Sequence, residues 1–211
     1  MKKENIKPKK NEIKILLLGD TGVGKTSIFK RYLENKYEGN KTATVGVDFS
    51  TRDFKYKNEN YIIQVFDTAG QERFKGITKS YFHMSEYYFV VFDLTNKNSL
   101  DAIPSWLELL KEEKENPKYI ILGNKDDLKN KQISEDEVNN VLENLDNINI
   151  NGEKFLRVSA KNGNNIENAF KYMIDVFNND NNENKGENNN AKLTKSNLQK
   201  KNSNAKCCKW N

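Results

Sequence analysis

The chain has 211 residues, enough for one domain of ordinary size with a substantial core and a tail. Hydrophobic residues make up 36% and charged residues 31%, which is polar for a purely globular chain. No apolar run approaches the roughly 20 residues of a membrane-spanning helix, and the Lys- and Asn-rich N-terminus lacks the apolar core of a signal peptide. We therefore expect a cytosolic protein. The net charge of +5 leaves nucleic acid or an acidic membrane open as a partner.

Both ends of the chain are predicted to lie outside the folded domain. Residues 1–12 read as a flexible arm, and residues 178–206 are rich in Asn and Lys without periodicity, so we expect them to be disordered. The two cysteines, Cys207 and Cys208, are neighbours near the C-terminus. Because adjacent cysteines cannot form a useful structural bridge, a disulfide-stapled secreted fold is excluded.

The first predicted element is a strand at residues 13–18, followed by Gly-Asp-Thr-Gly-Val-Gly-Lys-Thr at residues 19–26 and then a helix. Strand, glycine-rich turn and helix are the setting of a phosphate-binding loop. The glycines let backbone N–H groups turn inward around phosphate oxygens. Lys25 can reach the terminal phosphates, and the Thr26 hydroxyl can ligate Mg²⁺. A tight connection with no ligand is the alternative interpretation.

A loop without periodicity follows at residues 34–45, and then two β-rich stretches at residues 47–56 and 61–66. Their short polar connection, residues 57–60, predicts neighbouring antiparallel strands. Asp67 comes directly after the second stretch, within Asp-Thr-Ala-Gly-Gln-Glu.

From there strands and helices alternate, with strands predicted at 88–93, 119–123 and 154–158. Helices are predicted at 99–115 with Ser99 as its cap, at 134–142 with a capping box of Ser134 and Glu137, and at 165–177. This alternation is typical of a doubly wound α/β sheet, in which ligands bind beyond the carboxyl ends of the strands. The polar motifs all follow predicted strands.

Several of these motifs fit one ligand. Thr44 offers a second hydroxyl for Mg²⁺, Asp67 can hold the metal or its water, and Gln71 can orient an attacking water. Asn124, Lys125 and Asp127 form Asn-Lys-x-Asp, whose carboxylate can accept hydrogen bonds from N1–H and the 2-amino group of guanine. Adenine lacks that donor pair, so the motif favours GTP over ATP.

With these motifs the sequence resembles the Rab family within the Ras superfamily of small GTPases. The marks are Thr-Val-Gly-Val-Asp-Phe at residues 44–49, Asp-Thr-Ala-Gly-Gln-Glu-Arg-Phe at 67–74, Ile77-Thr78 with Tyr81, and the paired cysteines. The resemblance covers residues 13–177 and the last five residues. It implies the P-loop small GTPase fold, a six-stranded, mostly parallel α/β sheet with one antiparallel strand and flanking helices.

The resemblance also implies roles for individual residues. Gln71 and Lys25 would be catalytic. Thr26 and Thr44 would ligate Mg²⁺ directly, with Asp67 in its outer shell. The residues implied in binding GTP or GDP are Gly19, Asp20, Thr21, Gly22, Val23, Gly24, Lys25, Thr26, Ser27, Tyr37, Thr44, Gly70, Asn124, Lys125, Asp127, Ser159, Ala160 and Lys161.

Among these, Gly70 would donate its N–H to the γ-phosphate and Ala160 its N–H to the guanine oxygen. Tyr37 would pack on the guanine edge, or else be an ordinary surface tyrosine. The only histidine, His83, has no metal-binding partners in the sequence pattern and is expected to be structural or exposed.

Phe49, Phe66 and Tyr81 match the aromatic cluster that Rab effectors contact, with core packing as the alternative. The family usually has tryptophan where Phe66 stands, so this departure concerns effector identity. Cys207 and Cys208 would be geranylgeranylated in residues 207–211; two unmodified thiols are the alternative.

The sequence thus predicts a monomeric, membrane-anchored GTP/GDP switch in vesicle trafficking, on the cytosolic face of an endomembrane with a soluble cytosolic pool. Its implied partners are an exchange factor, a GTPase-activating protein that supplies an arginine, an escort protein or GDP-dissociation inhibitor, and effectors. Three alternatives stay open: a GTP-binding scaffold without hydrolysis, an ATP-using P-loop enzyme, and a nucleic-acid-binding protein. The lysines are concentrated in the flexible ends, so we expect no nucleic acid partner.

Overall fold

The computed structural model describes residues 11–39, 46–68, 81–129, 133–143 and 155–181. Residue contacts divide the chain into one unit of residues 1–173 and a second of residues 174–211. In the second unit, the described residues 174–181 are helical. The predicted arm up to residue 10 and the predicted tail beyond residue 181 lie outside the described residues.

A sheet of six strands forms the centre of the first unit, in the order β2-β3-β1-β4-β5-β6. Every neighbouring pair is parallel except β2 with β3. This confirms the predicted mostly parallel sheet with one antiparallel strand. The strands are β1 (Asn11–Leu18), β2 (Val47–Tyr56), β3 (Glu59–Thr68), β4 (Tyr87–Asp93), β5 (Lys118–Asn124) and β6 (Leu156–Arg157).

The hairpin between β2 and β3 is tighter than the four-residue connection expected from the sequence. Its two turn residues, Lys57 and Asn58, both have positive φ (47° and 66°). Positive φ at both positions matches the right-handed twist of the flanking strands, so a two-residue turn suffices. Consequently β3 begins at Glu59 and extends to Thr68, which places Asp67 inside the strand instead of after it.

Helices flank the sheet. In the described residues they are α1 (Lys25–Glu34), α2 (Lys97–Asp101), α3 (Ile103–Glu113), α4 (Glu135–Leu142) and α5 (166–173 in the first unit), with a short helical turn at 81–84. None of the helices in these ranges has the length and apolar character that a membrane span requires.

The prediction of one helix at 99–115 capped by Ser99 was wrong. The structure has two helices, because the chain breaks at Ala102 just before Pro104, whose missing N–H is tolerated only in the first turn of a helix. The cap of α2 is Asn96, whose side chain accepts from the Asn98 N–H. Ser99 is a buried residue of α2 and accepts from the Asp93 N–H.

Other predicted boundaries differ little. The capping box of α4 is present, with the Ser134 and Glu137 side chains each accepting from the other's backbone N–H. In β6 the regular strand is only two residues long. Helical residues continue to 181, four beyond the predicted end at 177.

The core explains why the interior strands are almost wholly apolar. All seven residues of β4 are buried, and β5 is buried from its second residue onward. Helices cover both faces of parallel strands, so polar side chains have no solvent to face until the strand ends. Polar side chains that could bind a ligand are therefore expected at the edge of the sheet where the parallel strands end.

Candidate functional site

The parallel register brings the polar strand ends to one edge of the sheet. Leu17, next to the end of β1, is level with Asp67, and Asp93 at the end of β4 is level with Asn124 at the end of β5. The antiparallel strand β2 contributes its first residue, Val47, opposite Thr68. Segments far apart in sequence thus meet at the expected position for a ligand.

The glycine-rich loop after β1 depends on glycine at two close approaches. Gly19 has φ of 133°, and a Cβ there would lie 2.2 Å from the Val91 carbonyl oxygen. Gly24 has φ of 97°, and a Cβ would lie 2.3 Å from Asn124 Nδ2. Any side chain at either position would both strain the backbone and clash. The second contact also shows that the loop packs directly against the Asn-Lys-x-Asp segment.

Lys25, the first residue of α1, is a buried cation at the centre of the loop. Its Nζ donates to the carbonyl oxygens of Gly19 at 2.7 Å and Asp20 at 2.8 Å. Burial lowers the pKa of Lys25 to about 8, while the nearby carboxylates of Asp67 and Asp20 oppose the fall. A desolvated ammonium at the first residue of a helix attracts phosphate.

Asp67 is fully buried, and neither carboxylate oxygen makes a hydrogen bond with a described residue. Burial raises the pKa of Asp67 to about 6. The Thr26 hydroxyl, which lies near the carboxylate without meeting the geometry of a hydrogen bond, and the Lys25 ammonium oppose the rise. A buried carboxylate without hydrogen-bond partners is costly unless a cation or ordered water satisfies it. This fits a Mg²⁺ site.

The donor set also fits Mg²⁺ in number. The described residues contain no group of three or more His, Cys, Asp or Glu side chains that could hold a metal by themselves. Magnesium usually binds through one or two protein oxygens and completes its shell with water and substrate phosphates. Thr26 and Asp67 are the described residues that would hold it in this way.

Asn124, the last residue of β5, connects two loops. It is 2% exposed, its Nδ2 donates to the Val23 carbonyl at 2.8 Å, and its Oδ1 accepts from the Ala160 N–H at 3.2 Å. The amide thereby fixes the phosphate loop and the Ser-Ala-Lys loop to the end of β5. The expected contact of the Ala160 N–H with guanine stays a prediction, since this N–H is directed to Asn124.

Lys125 is held by a residue that the sequence analysis missed. It has φ of 67°, and its Nζ lies 2.5 Å from Asp93 Oδ2. The other oxygen of Asp93 accepts from the N–H and hydroxyl of Thr95. The sequence places Asp93 at the carboxyl end of a buried strand, which indicates a polar role for this residue. That position alone does not show that Lys125 is its partner.

The carboxylate of Asp127 is also fixed by neighbours. Its Oδ1 accepts from the Ser159 hydroxyl at 2.6 Å, and its Oδ2 lies 3.6 Å from Lys161 Nζ. Ser159 is fully buried, so the orientation of the carboxylate is set from the protein side. The Asn-Lys-x-Asp and Ser-Ala-Lys residues are therefore together, as the sequence predicts.

Arg31 of α1 is a second residue that the sequence analysis missed. Its Nε donates to the Ala160 carbonyl at 2.7 Å and an Nη to the Lys161 carbonyl at 2.6 Å. The other Nη donates to both oxygens of Asn35, which ends α1 in a left-handed conformation. One guanidinium thus ties the end of α1 to the Ser-Ala-Lys loop.

The aromatic cluster is present as a set of ring contacts. Phe66 lies 5.5 Å from Phe49 and 5.7 Å from Tyr81, measured between ring centroids. Phe66 is buried and belongs to the core, whereas Phe49 is 55% exposed. Core packing therefore describes Phe66 and not Phe49.

Two further predicted residues, Tyr37 and His83, are among the described residues, and five are not. Tyr37 is 43% exposed, so its contact with guanine stays a prediction. His83 is exposed as expected, with Nε2 at 3.5 Å from Glu113. Thr44, Gly70, Gln71, Cys207 and Cys208 lie outside the described residues.

Comparisons with known proteins agree with this site. The model of the Ras family matches residues 14–179. The chain is 37% identical over 161 residues to the GTP-binding protein ypt1 of Schizosaccharomyces pombe, an alignment that covers 76% of this chain and 77% of the relative. The chain therefore belongs to the Ras family and is a small GTPase of the Rab type.

Proposed function

We propose that the polar edge of the sheet binds GDP or GTP with Mg²⁺ and that the bound state switches the protein between two partner-binding forms. The single observation that carries this proposal is the buried Asp67 carboxylate with no hydrogen bond to a described residue, next to Thr26 and Lys25. A cation would satisfy the Asp67 oxygens, and an anion in the adjacent loop would neutralise the buried Lys25. A nucleotide phosphate with its metal supplies both.

The phosphate side would work by positioning and charge. Lys25 and the backbone N–H groups of the glycine loop would hold the β- and γ-phosphates and stabilise the charge that develops during hydrolysis. Mg²⁺, when bound, would neutralise charge on these phosphates. Gln71 is proposed to orient the attacking water, and an activating partner to supply an arginine, with a gain on the order of 10³ to 10⁵ in rate.

The base side would select guanine. Asp127 is oriented by Ser159, so its carboxylate can accept from two donors on the base edge. A base without those donors would lose two hydrogen bonds to a charged acceptor, so the site would discriminate against it. The buried Asn124 and the ion pair of Lys125 with Asp93 would keep the loop in place during exchange.

The test of hydrolysis is a single-turnover assay with GTP and Mg²⁺. Wild type is expected to convert bound GTP to GDP, and Gln71→Leu to lose at least nine-tenths of the rate while still binding GTP. Gln64→Leu is the matched control, since Gln64 lies in β3 and bonds to Glu12, away from the site. Equal hydrolysis by wild type and Gln71→Leu would contradict the proposed role, and no hydrolysis by wild type would favour a scaffold.

Effectors are proposed to distinguish the GTP-bound from the GDP-bound form by binding the exposed part of the aromatic cluster. Loss of the γ-phosphate would remove contacts to Thr44 and Gly70, and the segments at 36–49 and 68–82 would relax. Phe49 is the exposed member and the expected contact for effectors. Phe49→Ala should weaken binding of GTP-dependent partners without changing nucleotide affinity; unchanged partner binding would contradict this.

Membrane attachment is proposed through geranylgeranyl groups on Cys207 and Cys208. Two chains give stable anchoring where one gives marginal binding, and the neighbouring lysines add attraction to anionic lipid. The double variant Cys207→Ser/Cys208→Ser should be lost from cell membranes, and each single variant should be retained weakly. Full retention of the double variant would contradict lipidation. Rab-like trafficking at an endomembrane, through an exchange factor, an escort protein and effectors, belongs to the same proposal.

A further inference from the structure

A hydrogen bond joins helix α3 to the phosphate loop. The indole Nε1–H of Trp106 donates to Asp20 Oδ1 at 2.8 Å, across 86 positions of sequence. Asp20 is the second residue of the glycine-rich loop and is partly buried. This contact is separate from the backbone contacts that Gly19 and Gly24 impose on the loop.

The carboxylate of Asp20 would repel a phosphate bound in this loop. Its backbone carbonyl accepts from Lys25 Nζ at 2.8 Å, and its carboxylate lies near enough to that ammonium to interact with its charge. The position of Asp20 therefore affects both the charge field in the loop and the placement of its central cation. An indole donor that holds the carboxylate toward α3 limits the repulsion.

Trp106 is itself well placed to act as a fixed donor. It lies in α3 and packs on the main hydrophobic core, next to the buried Leu107. The helix begins at Ile103, where Pro104 fixes the backbone of the first turn. The ring is thus held from the core, and its N–H presents a rigid contact to a loop whose own backbone is shaped by glycine.

We propose that Trp106 is a positioning residue for the nucleotide site: by holding the Asp20 carboxylate on α3 it slows release of the nucleotide from the phosphate loop. This inference rests on the proposed nucleotide site and adds to it a residue outside the loops that contact the ligand. It assigns the indole N–H, and not the bulk of the ring, as the functional group.

The test is a double-mutant cycle on the release rate of a fluorescent N-methylanthraniloyl-GDP. Trp106→Phe keeps an aromatic ring but removes the donor, and is expected to raise the release rate about tenfold, because a hydrogen bond to a charged group is being lost. Asp20→Ala removes the acceptor. When Asp20→Ala is already present, Trp106→Phe should raise the release rate by less than a further twofold.

Leu109→Ala controls for a general loss of packing. Leu109 lies on the same helix, is partly buried against the same core, and is not part of the Trp106–Asp20 hydrogen bond. It should lower stability to urea with a release rate within twofold of wild type. Acceleration by Leu109→Ala equal to that of Trp106→Phe at matched stability would assign the effect to packing and overturn the proposal.

Fluorescence gives a readout that a purely structural role would not move. The chain has two tryptophans, Trp106 and Trp210, so Trp210→Phe leaves Trp106 as the single reporter. Its emission maximum should shift in Asp20→Ala, because the indole N–H loses its charged acceptor. An emission maximum unchanged by Asp20→Ala would overturn the proposal.

Failure of the two proposals can be told apart. If wild type does not bind the GDP analogue, the proposed function and this inference both fall. If wild type binds it and Trp106→Phe releases it at the wild-type rate, this inference alone is overturned.

Discussion

The two halves of the site are built differently. On the base side, the polar side chains are satisfied by one another: Asn124 binds Val23 and Ala160, Asp127 accepts from Ser159, and Lys125 pairs with Asp93. On the phosphate side, Lys25 is buried with a lowered pKa, and Asp67 has two buried oxygens without a hydrogen bond to a described residue.

The difference indicates which half sets specificity and which half couples the ligand to the fold. Side chains fixed by internal hydrogen bonds are pre-organised, so the base side can discriminate between ligands with little rearrangement. Buried charges are costly, so the phosphate side gains stability when phosphate neutralises Lys25 and a metal satisfies the Asp67 carboxylate. Variants on the base side should therefore change which nucleotide binds, and variants on the phosphate side should change how much binding stabilises the protein.

The largest effect is expected for Asp127→Asn. Two hydrogen bonds to a charged acceptor, at about 1.5 to 3 kcal/mol each, correspond to a loss of roughly 10² to 10⁴ in affinity for GDP. Affinity for xanthine nucleotides should rise, because the amide offers a donor to their oxygen. Competition binding with GDP, XDP and ADP measures both changes.

Asp126→Asn is the matched control, since Asp126 lies in the same loop and its carboxylate is 4.0 Å from Arg157. An equal loss in the control would contradict the special role of Asp127.

The next largest effect is expected for Asp67→Asn, which should change the stability of the free protein and its stabilisation by nucleotide in opposite directions. The raised pKa of Asp67 means that the cost of burying its charge exceeds its attraction to Lys25, so Asp67→Asn should raise the free energy of unfolding without nucleotide by about 1 to 3 kcal/mol. The stabilisation that GDP with Mg²⁺ confers should fall by a similar amount. Urea unfolding with and without GDP and Mg²⁺ measures both quantities.

Asp101→Asn removes an exposed carboxylate 3.8 Å from Lys97 and should change neither quantity by more than about 0.5 kcal/mol. If Asp67→Asn lowered stability without nucleotide, the carboxylate would be satisfied within the protein and the metal argument would fail.

A smaller effect is expected when the ion pair between Asp93 and Lys125 is removed. Asp93→Asn keeps an acceptor for Thr95 but loses the ion pair with Lys125, and should weaken GDP binding about tenfold. Lys125→Met should lose at least as much. In the double variant the losses should not add, because the two side chains act as one unit. Additive losses in binding measured by titration would show that Asp93 does not act through Lys125.

The smallest effect is expected at Arg31. Arg31→Lys keeps the charge but cannot hold Ala160 and Lys161 together, since a lysine lacks the planar fork of donors. Release of GDP should be about three times faster, with the preference for guanine over adenine unchanged. Lys36→Ala, an exposed position in the same region, is the control. A loss of guanine preference in Arg31→Lys would mean that the base side is less rigid than its hydrogen bonds indicate.

Local sequence signals predicted the parts of the fold that depend on neighbouring residues. The strand-loop-helix around Lys25 and the capping box of Ser134 and Glu137 each lie within a short stretch, so residue type and spacing suffice. The break between α2 and α3 also has a local cause, Pro104. It was missed because the apolar spacing runs continuously across the break.

The supports of the site could not be predicted in this way. Trp106 reaches Asp20 across 86 positions, and Arg31 reaches Ala160 across 129. These pairs depend on the order of the strands and on which helix covers which face, and neither follows from spacing along the chain. Sequence motifs named the residues expected to touch the nucleotide, whereas the residues that hold them in place emerged from the tertiary structure.

The most direct test of a guanine nucleotide site is to identify the nucleotide that the purified protein carries. The protein is denatured after purification in buffer with Mg²⁺, and the released nucleotide is identified and quantified by chromatography. We expect GDP or GTP at close to one per chain from wild type, with the guanine nucleotide lost or replaced by xanthine nucleotide in Asp127→Asn. Adenine nucleotide, or none, from wild type would contradict it.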